Sequence, residues 1–232
     1  MKTIGLLGGM SWESTAAYYR LLNEAVKARL GGLHSAKLVL VSVDFHEVEA
    51  PMQAGNWDRV GASLAAAARQ VQAGGGECLL LCTNTMHRVA PAIEAAITIP
   101  FLHIAAPTAK ALKDAGHSKV GLLGTRATME QAFYRDYLVA QGIESLVPEA
   151  RDRDLVHHVI FGELCRGLVT EPSRAEYRRV MADLASRGAQ AIILGCTEIG
   201  MLVEANDSSV PLFDTTALHA QAAVEWALEG GA

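Results

Sequence analysis

The feature that most constrains the fold is a weak internal repeat. The tetrapeptide GLLG occupies residues 5–8 and returns at 121–124. The stretch 74–84, GGGECLLLCTN, lines up with 188–198, GAQAIILGCTE, so that Cys82 and Thr83 match Cys196 and Thr197. The two offsets, 116 and 114 residues, nearly agree. Two features in the same order at almost one spacing predict two αβ halves rather than one continuous sheet.

Short apolar runs at 3–7, 37–43, 78–81, 100–104, 119–123, 145–147, 191–194 and 210–213 predict strands. Most are continuous rather than alternating, as in strands covered on both faces. The expected fold class is therefore α/β: two pseudo-symmetric domains, each a mainly parallel sheet flanked by helices. Helical patterns fill the intervals. Tyr18, Leu21, Leu22, Ala25 and Val26 make one apolar face, ended by Gly31 and Gly32. Thr128 and Gln131 have capping-box spacing, with Gly142 closing that helix. Thr170 caps a helix that has Pro172 in its first turn and is stopped by Gly188.

Half of the 232 residues are hydrophobic and 19% are charged, which excludes a disordered chain. A net charge of −5 argues against nucleic acid as a partner. No apolar run reaches the roughly 18 residues of a membrane helix. The opening MKTIGLLGGMSWE is a poor signal peptide, and four cysteines make no disulfide framework. A cytoplasmic location is expected.

In each half an apolar strand runs directly into Cys-Thr. In open parallel sheets, ligands bind beyond the carboxyl ends of the strands. Cys82 and Cys196 therefore both stand where a site is expected, and a pseudo-twofold packing would bring them to one inter-domain cleft. Two thiols flanking one carbon suit proton abstraction on one face and delivery on the other, with inversion. Each positioned acid or base can contribute roughly 10²–10⁴-fold. Helix openings at 83–90 and 197–203 would favour the thiolate. Glu198 could orient or deprotonate Cys196. Thr83, Asn84, Thr85, Thr125, Thr128 and Thr197 offer donors to a small zwitterion. Met10 and Ser11 lie in a glycine-led loop at another strand end. The loop after the second strand, with His46 and Gln53, reaches either substrate or solvent.

Other readings are open to the same residues. A cysteine ending a strand is often core, and Cys78 reads that way. Cys165, in FGELCRG, reads as a helix residue that could line the cleft. His87, five residues after Cys82, is either the partner of a Cys–His hydrolase or a supporting residue, the second being favoured. His157 and His158 read as a solvated helix face. GLLGGM is a degenerate nucleotide loop, no zinc motif is present, and no lysine stands where pyridoxal phosphate would need one. Neither a metal nor a cofactor is expected. A non-enzymatic binding protein would have no use for matched thiols.

GLLGGMSWEST at 5–15, SVDFHEVE at 42–49, LCTNTMH at 81–87, FLHIA at 101–105, LLGTRATM at 122–129 and GCTEIG at 195–200 together resemble the aspartate/glutamate racemase family, in its broad-specificity amino-acid racemase branch. The resemblance runs nearly end to end. It implies a cofactor-independent homodimeric racemase of free amino acids with Cys82 and Cys196 as its two acid/base residues. It implies that Asn84, Thr85 and Thr197 hold the substrate carboxylate and that Glu198 assists Cys196. It implies a first domain of residues 1–105 plus 209–232 and a second of 106–208. A hydantoin racemase or maleate isomerase would use the same pair. Aspartate-selective members carry basic residues in the loop after strand two and on a helix of the second domain. Here the loop reads FHEVEAPMQAGN, and Cys165 stands near the second position. Substrates with neutral polar side chains, or loose specificity, are expected.

Overall fold

The computed structural model describes residues 1–229. The chain forms two compact units, Met1–Ile104 with the stretch from His219 onward, and Ala105–Leu218. The first unit contains β1 (Ile4–Gly8), α1 (Trp12–Leu30), β2 (Leu38–Ser42), α2 (Phe45–Gln53), α3 (Trp57–Ala73), β3 (Cys78–Leu81), a 3₁₀ turn at Thr85–Val89, α4 (Ala90–Glu94) and β4 (Phe101–Leu102). Its four strands pair in parallel in the order β2-β1-β3-β4. The second unit holds α5 (Ala105–Asp114), β5 (Lys119–Gly124), α6 (Arg126–Glu130), α7 (Ala132–Ala140), β6 (Glu144–Leu146), α8 (Ala150–Gly162), a 3₁₀ turn at Leu164–Arg166, α9 (Glu171–Ser186), β7 (Ile192–Gly195), α10 (Ile199–Leu202), a 3₁₀ turn at Ala205–Asp207 and β8 (Leu212–Asp214). Its strands are also parallel, in the order β6-β5-β7-β8. The final helix α11 (Thr215–Leu228) starts in the second unit and belongs to the first from His219 onward.

The continuous apolar runs of the central strands β1, β3, β5 and β7 have two buried faces. In the first unit Leu7, Leu79 and Leu81 pack with Val60, Leu64, Ala68 and Val71 of α3. Ile4, Leu6, Cys78, Leu80 and Cys82 pack the other way, with Tyr18, Leu22 and Val26 of α1 and Ala223 and Val224 of α11. In the second unit Leu123, Ile192, Leu194 and Cys196 pack with Val156 and Ile160 of α8 and Tyr177, Val180 and Leu184 of α9. The repeated GLLG has a steric origin. A Cβ on Gly5 would stand 2.3 Å from Val71 Cγ1 and 2.5 Å from the Cys78 carbonyl oxygen. At Gly121 it would stand 2.6 Å from Ile192 Cδ1 and 3.0 Å from Leu184 Cδ1. The glycines let helix and neighbouring strand approach the first central strand of each sheet.

Four expectations need correction. The cap of the helix near 128 lies at Thr125, whose Oγ1 accepts from the Thr128 N–H at 3.3 Å. Gln131 is extended and splits that helix into α6 and α7. The segment after the second strand is helix α2 rather than a loop: Asp44 caps it, accepting from the His46 N–H at 3.1 Å. Cys165 lies in the 3₁₀ turn after α8, since α8 ends at Gly162. The chain leaves the second unit at 218 rather than 208, because Leu212, Phe213 and Asp214 pair with β7. Residues 230–232 of the first-domain assignment lie outside the described residues.

Candidate active site

In each sheet the chain order reverses between the two central strands, β1 and β3 in one, β5 and β7 in the other. Beyond the carboxyl ends at such a reversal, successive loops turn away in opposite directions and leave a crevice. Cys82 is the first residue past β3, and Cys196 the first past β7.

In the first unit the turn after β3 is held from several sides. The Cys82 N–H donates to the Leu7 carbonyl at 2.9 Å. The Cys82 carbonyl accepts from the Ser14 hydroxyl at 2.9 Å. The Thr83 carbonyl accepts from His87 Nδ1 at 2.8 Å. Thr83, Asn84 and Thr85 are all buried beside Cys82. The loop from β1 stands at the same reversal. Ser11 caps α1, accepting from the Ser14 N–H at 3.3 Å, and the Gly9 N–H donates to Thr15 Oγ1 at 2.8 Å. Met10 is buried in the apolar cluster of α3, with Val48 and Met86. His46 and Gln53 lie on α2, where Gln53 is exposed and donates to the Glu49 carboxylate.

In the second unit Glu198 gathers the polar groups. Its Oε2 accepts from Cys196 Sγ at 2.9 Å and from the Thr197 hydroxyl at 2.7 Å. Its Oε1 accepts from the half-buried Cys165 at 3.6 Å. Thr125 and Thr128, past β5, are buried with their hydroxyls 3.2 Å apart. Arg166, next to Cys165 in sequence, is exposed.

Burial raises the pKa of both matched thiols, which favours the thiol form. Cys82 is 0% exposed, and burial pushes its pKa up. Cys196 is 7% exposed; burial, then the Glu198 carboxylate, push its pKa well above the ordinary thiol value. The expected lowering by a helix N-terminus is not found. The following elements are one short 3₁₀ turn and the four-residue α10, too short to gather a dipole that offsets desolvation. Cys78 is core as expected, its pKa raised to about 12 by burial.

Ser14 was not foreseen as a partner of Cys82, although the polar run Ser11-Trp-Glu-Ser14-Thr15 after the first glycine loop was a visible signal. The link between Cys165 and Glu198 had no such signal, because 33 residues separate them. His87 is no hydrolase partner: its Nε2 accepts from the backbone N–H of Ile104 at 3.1 Å and its Nδ1 faces the Thr83 carbonyl. Among the described residues no helix is long and apolar enough to cross a membrane.

The sequence matches the Asp/Glu/Hydantoin racemase family over residues 7–223. It is 54% identical to a candidate Asp/Glu racemase from Yersinia pestis, whose crystal structure superposes with a TM-score of 0.91 over 99% of this chain and 100% of that one. An aspartate racemase homologue from Pyrococcus horikoshii OT3 is 30% identical with a TM-score of 0.85, again over 99% and 100% of the two chains. The broad-specificity amino-acid racemase RacX of Bacillus subtilis is 22% identical over 95% of this chain and 96% of that protein. By sequence match and by fold, this chain belongs to the Asp/Glu/Hydantoin racemase family.

Proposed function

We propose that this chain is a cofactor-independent racemase of free amino acids in which Cys82 and Cys196 work on opposite faces of Cα. In one direction Cys196 first yields its proton to Glu198 Oε2, its hydrogen-bond partner. The Cys196 thiolate then takes the Cα proton, and the Cys82 thiol delivers a proton to the other face. Cys196 ends as thiol, Cys82 as thiolate and Glu198 protonated. The reverse reaction returns the Glu198 proton to Cys196, and a second turnover in the same direction requires solvent to reprotonate Cys82 and take the proton from Glu198. Asn84, Thr85 and Thr197 are proposed to hold the substrate carboxylate. Cys82 has no exposed surface, so turnover requires a state in which its sulfur is uncovered.

The observation that carries this reading is the matched placement of the two thiols. Each directly follows a central strand at the reversal of its sheet and each is followed by a threonine; the Cys82 backbone is held by Leu7 and Ser14, and the Cys196 thiol itself donates to Glu198. The side-chain preference proposed is for neutral polar groups or for loose selection. No arginine or lysine occurs in α2, Cys165 faces Glu198, and an unpaired second carboxylate would be costly beside that carboxylate. A homodimer is proposed on the family resemblance and a cytoplasmic location on the cysteine usage.

The test is a panel of L-amino acids in D₂O without added pyridoxal phosphate, with 5-substituted hydantoins alongside. Racemisation with deuterium entering Cα is expected. Cys82→Ser and Cys196→Ser should each lose at least roughly 10²-fold in turnover. Wild-type racemisation by both variants would end the two-thiol reading, and turnover of hydantoins alone would move the substrate.

A further inference from the structure

The second half of the repeat pairs its cysteine with a carboxylate; in the first unit, three histidines stand behind the cysteine turn. His87 and His219 are buried, His103 is half-buried, and their rings form a chain with centroids 4.5 Å apart from His87 to His103 and 6.3 Å from His87 to His219. They come from three places: the 3₁₀ turn after Cys82, the end of β4, and α11.

The partners of His87 fix its tautomer. The Ile104 backbone N–H can only donate, so Nε2 must be unprotonated to accept it at 3.1 Å. The Thr83 carbonyl can only accept, so Nδ1 must carry the hydrogen donated to it at 2.8 Å. His219 is fixed in the opposite tautomer. Its Nε2–H donates to the Leu102 carbonyl at 2.7 Å, and its Nδ1 accepts from the Tyr18 hydroxyl at 2.8 Å. Both rings are held neutral, and both tie to backbone at 102–104. Burial, followed by the neighbouring His103 and His219, lowers the pKa of His87 well below that of a free histidine.

We infer that His87 is the positioning residue of Cys82: one neutral imidazole clamps the Thr83 carbonyl to the backbone at Ile104 and so sets where the Cys82 sulfur stands. This rests on the racemisation reading, in which Cys82 is one of the two acid/base residues. His87 itself touches no reacting atom. An error of about 1 Å in a reacting group can cost roughly 10²-fold, which is why a clamp one residue away matters.

Two variants separate the roles. His87→Phe keeps an aromatic ring and removes both hydrogen bonds. His87→Asn keeps a donor near the Nδ1 position and loses the acceptor for Ile104. The probes are the Cα-deuterated L and D forms of the panel amino acid that the wild type turns over fastest. His87→Phe should lower kcat by roughly 10- to 100-fold, and His87→Asn should recover about tenfold of it where the loss is that large. The deuterium isotope effect on kcat/KM should rise for the enantiomer whose proton Cys82 removes. For the other enantiomer Cys82 delivers a solvent proton instead, so that effect should fall. A residue that merely supports the fold would move both effects together or neither. That result, or wild-type kinetics in His87→Phe, overturns the proposal. If His87→Phe does not fold, the same isotope asymmetry is required of His87→Asn, and failure of both to fold assigns His87 to the fold alone. Cys82→Ser run in parallel keeps the two ideas apart. Full racemisation there removes the two-thiol reading on which the clamp rests, whereas an inactive Cys82→Ser beside a normal His87→Phe removes only the clamp.

Discussion

At the scale of single residues the chemistry turns on where one proton sits. Cys196, Thr197 and Cys165 all point hydrogens at the Glu198 carboxylate. That carboxylate raises the pKa of Cys196, so it does not help by stabilising a thiolate next to it. In the proposed reaction it helps by accepting the proton that Cys196 gives up. Glu198→Gln keeps the size and removes the charge and the basic oxygen. It should lower kcat by roughly 10²–10³-fold with KM changed less than about threefold. Steady-state racemisation of the same panel substrate checks this, and an unchanged kcat would leave Glu198 only a packing role. The matched placement of Cys82 and Cys196 past a central strand could be read from the sequence because the repeat picks two cysteines out of four. The protonation state could not. The strand-to-turn pattern suggested a helix dipole, whereas burial decides the outcome, and burial is set by residues distant in sequence such as Tyr177 for Cys196 and Tyr18 for Cys82.

At the scale of elements, strands were more legible than turns. The eight predicted runs overlap the eight strands among the described residues; apart from Lys119, which opens β5, the four central strands are apolar throughout because both their faces are buried. Helix α2 was missed because Pro51 and the polar HEVE segment resemble a loop, while its start depends on the Asp44 side chain. The break between α6 and α7 depends on one extended residue, Gln131, for which the sequence carries no clear breaker. The paired glycines permit a quantitative contrast. Gly5→Ala forces a methyl against the stiff Val71 side chain and a strand carbonyl, neither of which can retreat. Gly121→Ala meets the mobile Cδ1 ends of Ile192 and Leu184. The first should cost about 3 kcal/mol or more and the second about 1 kcal/mol. Urea midpoints at unchanged m measure both, and equal losses would contradict the steric account of the repeat.

For the whole molecule, the two halves share a topology and differ in what they bury. The first unit buries His87 and His219 and half-buries His103, whereas His117 and His157 of the second are only half-buried and His158 is exposed. Burial lowers the pKa of His103 and of His219 to about 4, against 6.5 for a free histidine. Below pH 6.5 the unfolded chain therefore binds protons that the folded unit refuses. The stability they contribute is complete above that pH and is lost as pH falls toward 4, at about 1.4 kcal/mol per pH unit for each histidine. In the second unit Asp214 is shifted upward by burial, so mild acid favours its folded form. Asp152 is held low, first by its hydrogen bond from Arg179, and titrates below this window. His157 of the second unit is also lowered by burial, but it is half-buried, whereas the first unit holds two buried histidines, so acid should weaken the first unit before the second. All three tryptophans, Trp12, Trp57 and Trp226, lie in the first unit, so their fluorescence reports that unit alone, whereas far-UV circular dichroism reports both. On going from pH 7 to pH 5 the urea midpoint seen by tryptophan should fall, and a part of the dichroism change should remain at the higher midpoint. Coincident midpoints that do not move with pH would show that the histidine cluster does not govern the acid stability of this fold.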